Sequence, residues 1–318
     1  MGTPIDRTAF RNTKDRIFMD SAVSDTKVTG RIMKGIGGFY YVHDEKKRIF
    51  ECRAKGIFRN KKQKPLVGDQ VVIDIIDLEQ RTGNLIEILP RSSELVRPAS
   101  ANVDQALVIF AAKDPDPNYI LLDKFLITMN LLNLPVILCF NKTDRISGDE
   151  QERLRRIYKN ACKLYFISVK EEQGLSELRV YLRGKTTVLA GPSGAGKSSF
   201  LNYFCPDSQA ETGAVSEKIG RGRHTTRHSE LFYVEDGTYL MDTPGFSSMD
   251  LVGLDCKELR YYYPEFDFYE GNCRFQGCVH VSEPDCSVKA AVEAGEISEE
   301  RYDSYCYLYE ELRKVKKY

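Results

Sequence analysis

Between residues 27 and 90, apolar and polar positions alternate in short runs, each closed by Gly, Asp, Asn or Lys. Segments 28–33, 39–43, 48–53, 70–77 and 84–89 carry the period of two that predicts β-strands. Leu66-Val67-Gly68-Asp69 gives a tight entry into the fourth of them. So many short strands in so few residues predict a small barrel. We read it as OB-like; an SH3-like barrel would carry much the same pattern.

After a linker at 90–98 the pattern changes. Segments 104–111, 134–140 and 186–190 are near-continuous apolar runs of strand length. Strands buried on both faces of a helix-covered parallel sheet read this way. Helical spacing appears at 119–130 and 149–160, and 239–241 reads as a further strand before Asp242. This alternation predicts a doubly wound α/β domain. Beyond Met249 the chain turns rich in Tyr, Cys and acids, with helices expected at 287–294 and 298–316. The core there is too small to stand unaided, and a metal would staple it.

Composition narrows the class. The 318 residues are 42% hydrophobic and 29% charged, which fits a globular protein of two or three domains. No apolar run approaches the length of a membrane helix. Residues 1–20 are polar and mixed in charge, without the apolar centre of a secretory signal. We therefore expect an extension or leader at 1–25, no membrane partner and a cytoplasmic monomer. Nine Cys, an odd number, fit a reducing compartment better than a disulfide framework. Formal net charge is +0, yet residues 1–97 hold 19 Lys+Arg against 13 Asp+Glu. Lys55, Arg59, Lys61, Lys62 and Lys64 crowd one loop, which is either a contact for a polyanion or a solvated lysine loop.

Chemistry enters at Gly191-Pro192-Ser193-Gly194-Ala195-Gly196-Lys197-Ser198, a complete P-loop pattern. It follows an apolar strand and precedes a helix expected at 198–203. The glycines let backbone N–H groups wrap phosphates, and the helix N-terminus adds a favourable field. Lys197 would reach the β- and γ-phosphates, the Ser198 hydroxyl would bind Mg²⁺, and Ser199 joins the expected nucleotide set. Asp242-Thr243-Pro244-Gly245 ends a strand. Asp242 there can hold Mg²⁺ through water, and Gly245 leaves its N–H room to approach the γ-phosphate.

Base choice points to guanine. Asn141-Lys142-Thr143-Asp144 follows the strand ending at Phe140. The Asp144 carboxylate can accept from both N1–H and the 2-amino group of guanine, a donor pair adenine does not offer. The Lys142 stem would cover the base and Asn141 would brace the loop. Ser168-Val169-Lys170 resembles the S-A-K element whose backbone N–H meets guanine O6.

The order of these motifs is unusual. An ordinary GTPase has its P-loop first and N-K-x-D later; here N-K-T-D and S-V-K come first, then the P-loop, then D-T-P-G. A circular permutation keeps the sites compatible. Residues 174–184 would form the short join between the old C-terminal helix and the old first strand, and the new break would follow Gly245. The γ-phosphate contact then runs straight into the Cys-rich segment, so nucleotide state is expected to move that segment. Domain bounds follow: barrel 26–97, permuted GTPase domain 98–250, and a small α-helical metal-binding domain 251–318.

Cys273-x₄-Cys278-x-His280-x₅-Cys286 supplies three thiolates and one imidazole. That is a closed tetrahedral set for one structural Zn²⁺ per chain, with no open position for catalysis. The alternative is buried free cysteines near a surface histidine. Cys256 and Cys306 lie outside the pattern and are expected to be ordinary buried residues.

The permuted order, the barrel before it and the Cys/His cluster after it resemble the ribosome small-subunit-dependent GTPase A (RsgA) family. The resemblance runs from Val28 to the C-terminal helix. It implies a GTPase stimulated by the small ribosomal subunit, on which it acts late in maturation, with rRNA as a partner. The Cys/His spacing matches the family's zinc element position by position. Phe246 follows D-T-P-G where many GTPases place a water-orienting Gln. His224, in the glycine-bearing basic stretch 220–228, matches the histidine to which the family assigns that role; contact with RNA or plain exposure are its other readings. Thr226, or Thr225, would complete the Mg²⁺ shell. Phe39, Tyr40, Tyr41 and Phe58 would stack on bases or fill the barrel. Two other functions fit less well: a GTP-controlled signalling switch, and a nucleic-acid-binding zinc protein whose nucleotide site is only regulatory.

Overall fold

The computed structural model describes residues 26–56, 58, 63–96, 98–206, 229–243, 251 and 253–314. Five strands open the chain: β1 (Lys27–Ile36), β2 (Phe39–Asp44), β3 (Ile49–Ala54), β4 (Gln70–Asp77) and β5 (Thr82–Ile88). They close in the order β1-β2-β3-β5-β4, with β3 and β5 parallel. That closure is the OB arrangement and settles the choice against an SH3-like barrel. Ile32, Val42, Phe50, Val71, Ile73 and Leu85 fill the inside, and Phe58 lies buried with them. Phe58 is therefore a core residue and not a stacking platform. Tyr40 packs partly against the same core, while Phe39 lies under the Arg53 guanidinium at 4.7 Å.

The stretch 90–98 is more than a linker. It contains β6 (Glu94–Val96), paired with β7 (Ala99–Ala101). Leu95 is apolar and buries itself in the core of the next domain, which holds the stretch in place.

Seven elements alternate through the central domain: β8 (Gln105–Ala111), α1 (Tyr119–Leu131), β9 (Val136–Asn141), α2 (Gly148–Tyr158), β10 (Lys163–Phe166), α3 (Leu175–Leu182) and β11 (Thr186–Ala190). Then come α4 (Lys197–Phe204), β12 (Glu230–Glu235) and β13 (Thr238–Asp242). The strands form one sheet in the order β10-β9-β8-β11-β13-β12, parallel except for the antiparallel edge strand β12. Every residue of β8 and β11 is buried, as their unbroken apolar runs require. Residues 174–184, expected as a plain join, contain the helix α3. Gly174 and Gly184 stand at its two ends in left-handed conformation, and Leu175, Leu178 and Leu182 form its buried face. Only Arg183–Lys185 remains to connect it to β11.

The barrel docks on the β12–β13 side of this sheet. Arg31 Nη1 donates to Thr186 Oγ1 at 2.5 Å, and Lys34 pairs with Glu230 at 3.0 Å. The C-terminal segment contributes two 3₁₀ turns, Leu259–Tyr262 and Pro264–Phe266, then α5 (Ser287–Glu293) and α6 (Glu299–Lys314). Its core of Leu259, Tyr263, Phe266, Val288, Tyr305 and Leu308 includes Ile127 of α1. Cys256 and Cys306 are half-buried rather than buried, and Cys306 lies at the rim of this small core.

A charged cluster sits between α1 and α6. Arg301, 2% exposed, donates to Asp123 and, at 2.6 Å, to Glu265. Tyr158 and Tyr263 each donate to Asp123 at 3.2 Å, and the Arg301 guanidinium lies 4.3 Å from the Tyr263 ring centre. Burial alone would lower the Arg301 pKa, but Asp123 and Glu265 hold it well above the ordinary value.

Candidate nucleotide site and metal centre

Parallel pairing brings the carboxyl ends of β8, β9, β11 and β13 to one edge. Ala111 stands opposite Asn141, Ala190 opposite Val108, and Leu189 opposite Asp242. Chains leaving that edge form the loops of the site, as expected of an open α/β sheet.

The P-loop leaves β11 at Gly191, whose φ is 138°. A Cβ there would stand 2.1 Å from the Ile109 carbonyl oxygen, so only glycine lets the loop begin this close to β8. Ser193 and Gly194 are exposed at the mouth, and Lys197 opens α4. Lys197 Nζ donates to the Gly191 and Pro192 carbonyls at 2.6 and 2.8 Å. Burial pushes the Lys197 pKa down, opposed by Asp242. Burial pushes the Asp242 pKa up, opposed by Lys197. A polyphosphate with its cation would favour the charged form of both groups, so the pair fits such a ligand.

Asn141 joins three loops. Its Nδ2 donates to Ala195 O of the P-loop at 3.1 Å. Its Oδ1 accepts from Lys142 N at 2.8 Å and from Val169 N at 3.2 Å. The side chain is buried, so these bonds are made out of water's reach. Gly196 is required beside it, since a Cβ there would stand 2.3 Å from Asn141 Nδ2.

Asp144 is exposed at the mouth and accepts from Ser168 Oγ at 2.6 Å. That hydroxyl is the main cause holding its carboxyl below the usual range. Thr143 N donates to Ile167 O at 3.1 Å, which sets the N-K-T-D turn against the S-V-K loop. Lys170 extends outward and pairs with Glu171. The structure thus gathers Asn141, Lys142, Thr143, Asp144, Ser168, Val169, the P-loop with Ser198 and Ser199, and Asp242 on one edge. Gly245, His224, Thr225, Thr226 and Phe246 lie outside the described residues, as do Arg59, Lys61 and Lys62 of the basic loop. Sequence reasoning missed residues 112–118, which run from β8 past Lys142 and the P-loop. The D-P-D-P-N run there marks a turn but not what it touches.

The second cluster lies in the C-terminal segment. Ligand atoms of Cys273, Cys278, His280 and Cys286 all lie within 4.8 Å of one another. The Cys273 and Cys286 sulfurs are 3.8 Å apart, and His280 Nδ1 lies 3.6 Å from the first and 3.3 Å from the second. A tetrahedral zinc site with ordinary bond lengths has S···S edges of about 3.8 Å and S···N edges of about 3.5 Å. Burial lowers the His280 pKa to about 4, which keeps the imidazole in its neutral, ligating form. The donor set fits a metal ion.

This sheet order, with a P-loop on its central strand and the N-K-T-D and S-V-K loops ahead of it in the chain, defines a circularly permuted P-loop GTPase. A family model described as RsgA GTPase matches residues 88–252, and one described as the RsgA N-terminal domain matches 29–82. The chain belongs to the RsgA GTPase family. The small ribosomal subunit biogenesis GTPase RsgA of Agathobacter rectalis is 53% identical over 302 residues, spanning 92% of this chain and 100% of that protein. Its counterpart in Ruminiclostridium cellulolyticum is 48% identical over 291 residues, spanning 91% and 95%. Among solved structures, YjeQ from Thermotoga maritima is similar at a TM-score of 0.72 and 32% identity, covering 91% of this chain and all of that one. YloQ, a circularly permuted GTPase, reaches 0.71 at 36% identity, covering 92% and 97%.

Proposed function

We propose that this chain hydrolyses GTP to GDP and phosphate under control of the small ribosomal subunit, and acts in that subunit's late assembly in the cytoplasm. The observation that carries the nucleotide reading is the buried Asn141 amide, which ties the phosphate loop to both base-reading loops. The ribosomal reading is supported by the small-subunit GTPase relatives.

In this reading Asp144 accepts from guanine N1–H and the 2-amino group, with Ser168 keeping it ionised. The S-V-K loop, held to Asn141 through Val169 N, offers its backbone N–H to guanine O6. The P-loop amides and Lys197 hold the phosphates, and Gly245 meets the γ-phosphate. Ser198, Asp242 and Thr226 would hold Mg²⁺, which offsets charge on the transferring phosphoryl group when bound. His224 orients the attacking water, because Phe246 cannot. Cys273, Cys278, His280 and Cys286 hold one structural Zn²⁺, which fixes the C-terminal fold. The barrel and its basic loop meet rRNA phosphates, an attraction that falls steeply with salt. The protein acts as a monomer.

Co-sedimentation with purified small subunits tests the partner. Binding in a non-hydrolysable GTP analogue and release in GDP are expected. Equal binding to small and large subunits would contradict the proposal.

A further inference from the structure

Residues 112–118 leave β8 and cross beside the base-reading loop before α1 begins. Three contacts fix this crossing. The main-chain carbonyl of Asp114 accepts from Lys142 Nζ. The Asp114 carboxylate pairs with Arg145 Nη1 at 3.0 Å. Pro115 lies against the P-loop, its Cδ 3.4 Å from where a Cβ on Gly194 would stand.

Asp114 and Lys142 both hold left-handed backbone, at φ 50° and 64°. Asp and Asn enter that region readily; a lysine does so only where its surroundings hold it. The Asn141 bond to Lys142 N holds the backbone of Lys142, and the Asp114 carbonyl holds the far end of its side chain. The four-carbon stem is thereby held at both ends.

We propose that Asp114 is a positioning residue for nucleotide binding. Its carboxylate fastens residues 112–118 to the base-reading loop through Arg145, and its carbonyl draws the Lys142 stem across the base face. This rests on the guanine-site reading of Lys142 and Asp144. A hydrocarbon stem covers a purine face whatever the base carries at C2. Asp114 therefore sets affinity for purine nucleotides and leaves base choice to Asp144.

The test compares Kd for GDP and for IDP, which lacks the 2-amino group, in the full chain. Asp114→Ala is expected to weaken both by about two- to fivefold, the range open to an exposed ion pair. The GDP-to-IDP preference stays at its wild-type value. Arg145→Ala has the same effect, and the double variant is no weaker than either single one. Asp114→Asn keeps left-handed tolerance and an acceptor, and recovers most of the loss. A general loosening of the base-reading loop would instead erode the preference for GDP, and that result overturns the proposal. Unchanged GDP affinity in Arg145→Ala overturns it too, even if Asp114→Ala folds poorly. A wild-type protein that does not distinguish GDP from IDP would refute the guanine reading itself, a result separate from either of these.

Discussion

At the residue scale the account turns on Asp144 and on the buried amide that keeps its loop in place. Asp144→Asn replaces an acceptor pair with an acceptor and a donor. Guanosine nucleotide affinity should fall by on the order of 100-fold, while xanthosine nucleotides, with an oxygen at C2, should bind better than to the wild type. Isothermal titration with GDP and XDP reads both changes. Gly196→Ala places a methyl 2.3 Å from Asn141 Nδ2, so it should weaken GDP binding and lower the melting temperature together. Calorimetry on the same sample checks both. That these residues would meet on one edge was legible in the sequence, because each stands in a motif of fixed types at fixed local spacing. The contacts of Asp114 were not, because they depend on where a turn crosses a loop 28 residues further on.

At the element scale the five barrel strands and the inner strands of the sheet follow from their periodicity. The barrel's alternation and the sheet's unbroken apolar runs state how many faces each strand buries. Edge strand β12 escaped because its residues are mostly half-buried and show neither pattern. Helix α3 escaped because a helix of eight residues between two glycines resembles a connection until Leu175, Leu178 and Leu182, its buried residues, are seen to share a face. Apart from the 16-residue α6 the C-terminal elements are short, and their cysteine cluster stands where a larger core would otherwise be needed. Cys278→Ala should leave the purified protein without stoichiometric zinc and lower its melting temperature. Elemental analysis and a thermal scan test this, and an unaltered zinc content would remove Cys278 from the ligand set.

At the scale of the whole molecule, the C-terminal segment is fastened to the GTPase domain by the buried Asp123, Arg301 and Glu265. Nothing local in the sequence signals that cluster, since Asp123 and Arg301 stand 178 positions apart. Arg301→Met would leave two carboxylates buried without their cation and should cost about 3–5 kcal/mol, read as a fall in the urea midpoint. The cluster also sharpens the expectation that nucleotide state moves this segment: it should move together with α1, not against it. Fluorescent amino acids at Asn130 and Glu293 should keep one transfer efficiency in GDP and in a GTP analogue; a change would mean the cluster opens.

Control by the small ribosomal subunit is what sets this GTPase apart from a simple nucleotide switch. GTP turnover of the purified protein, measured alone, with small subunits and with large subunits, tests it most directly. Slow turnover alone, strong stimulation by small subunits and none by large subunits is the predicted result. Equal turnover in all three mixtures, or none in any, would contradict it.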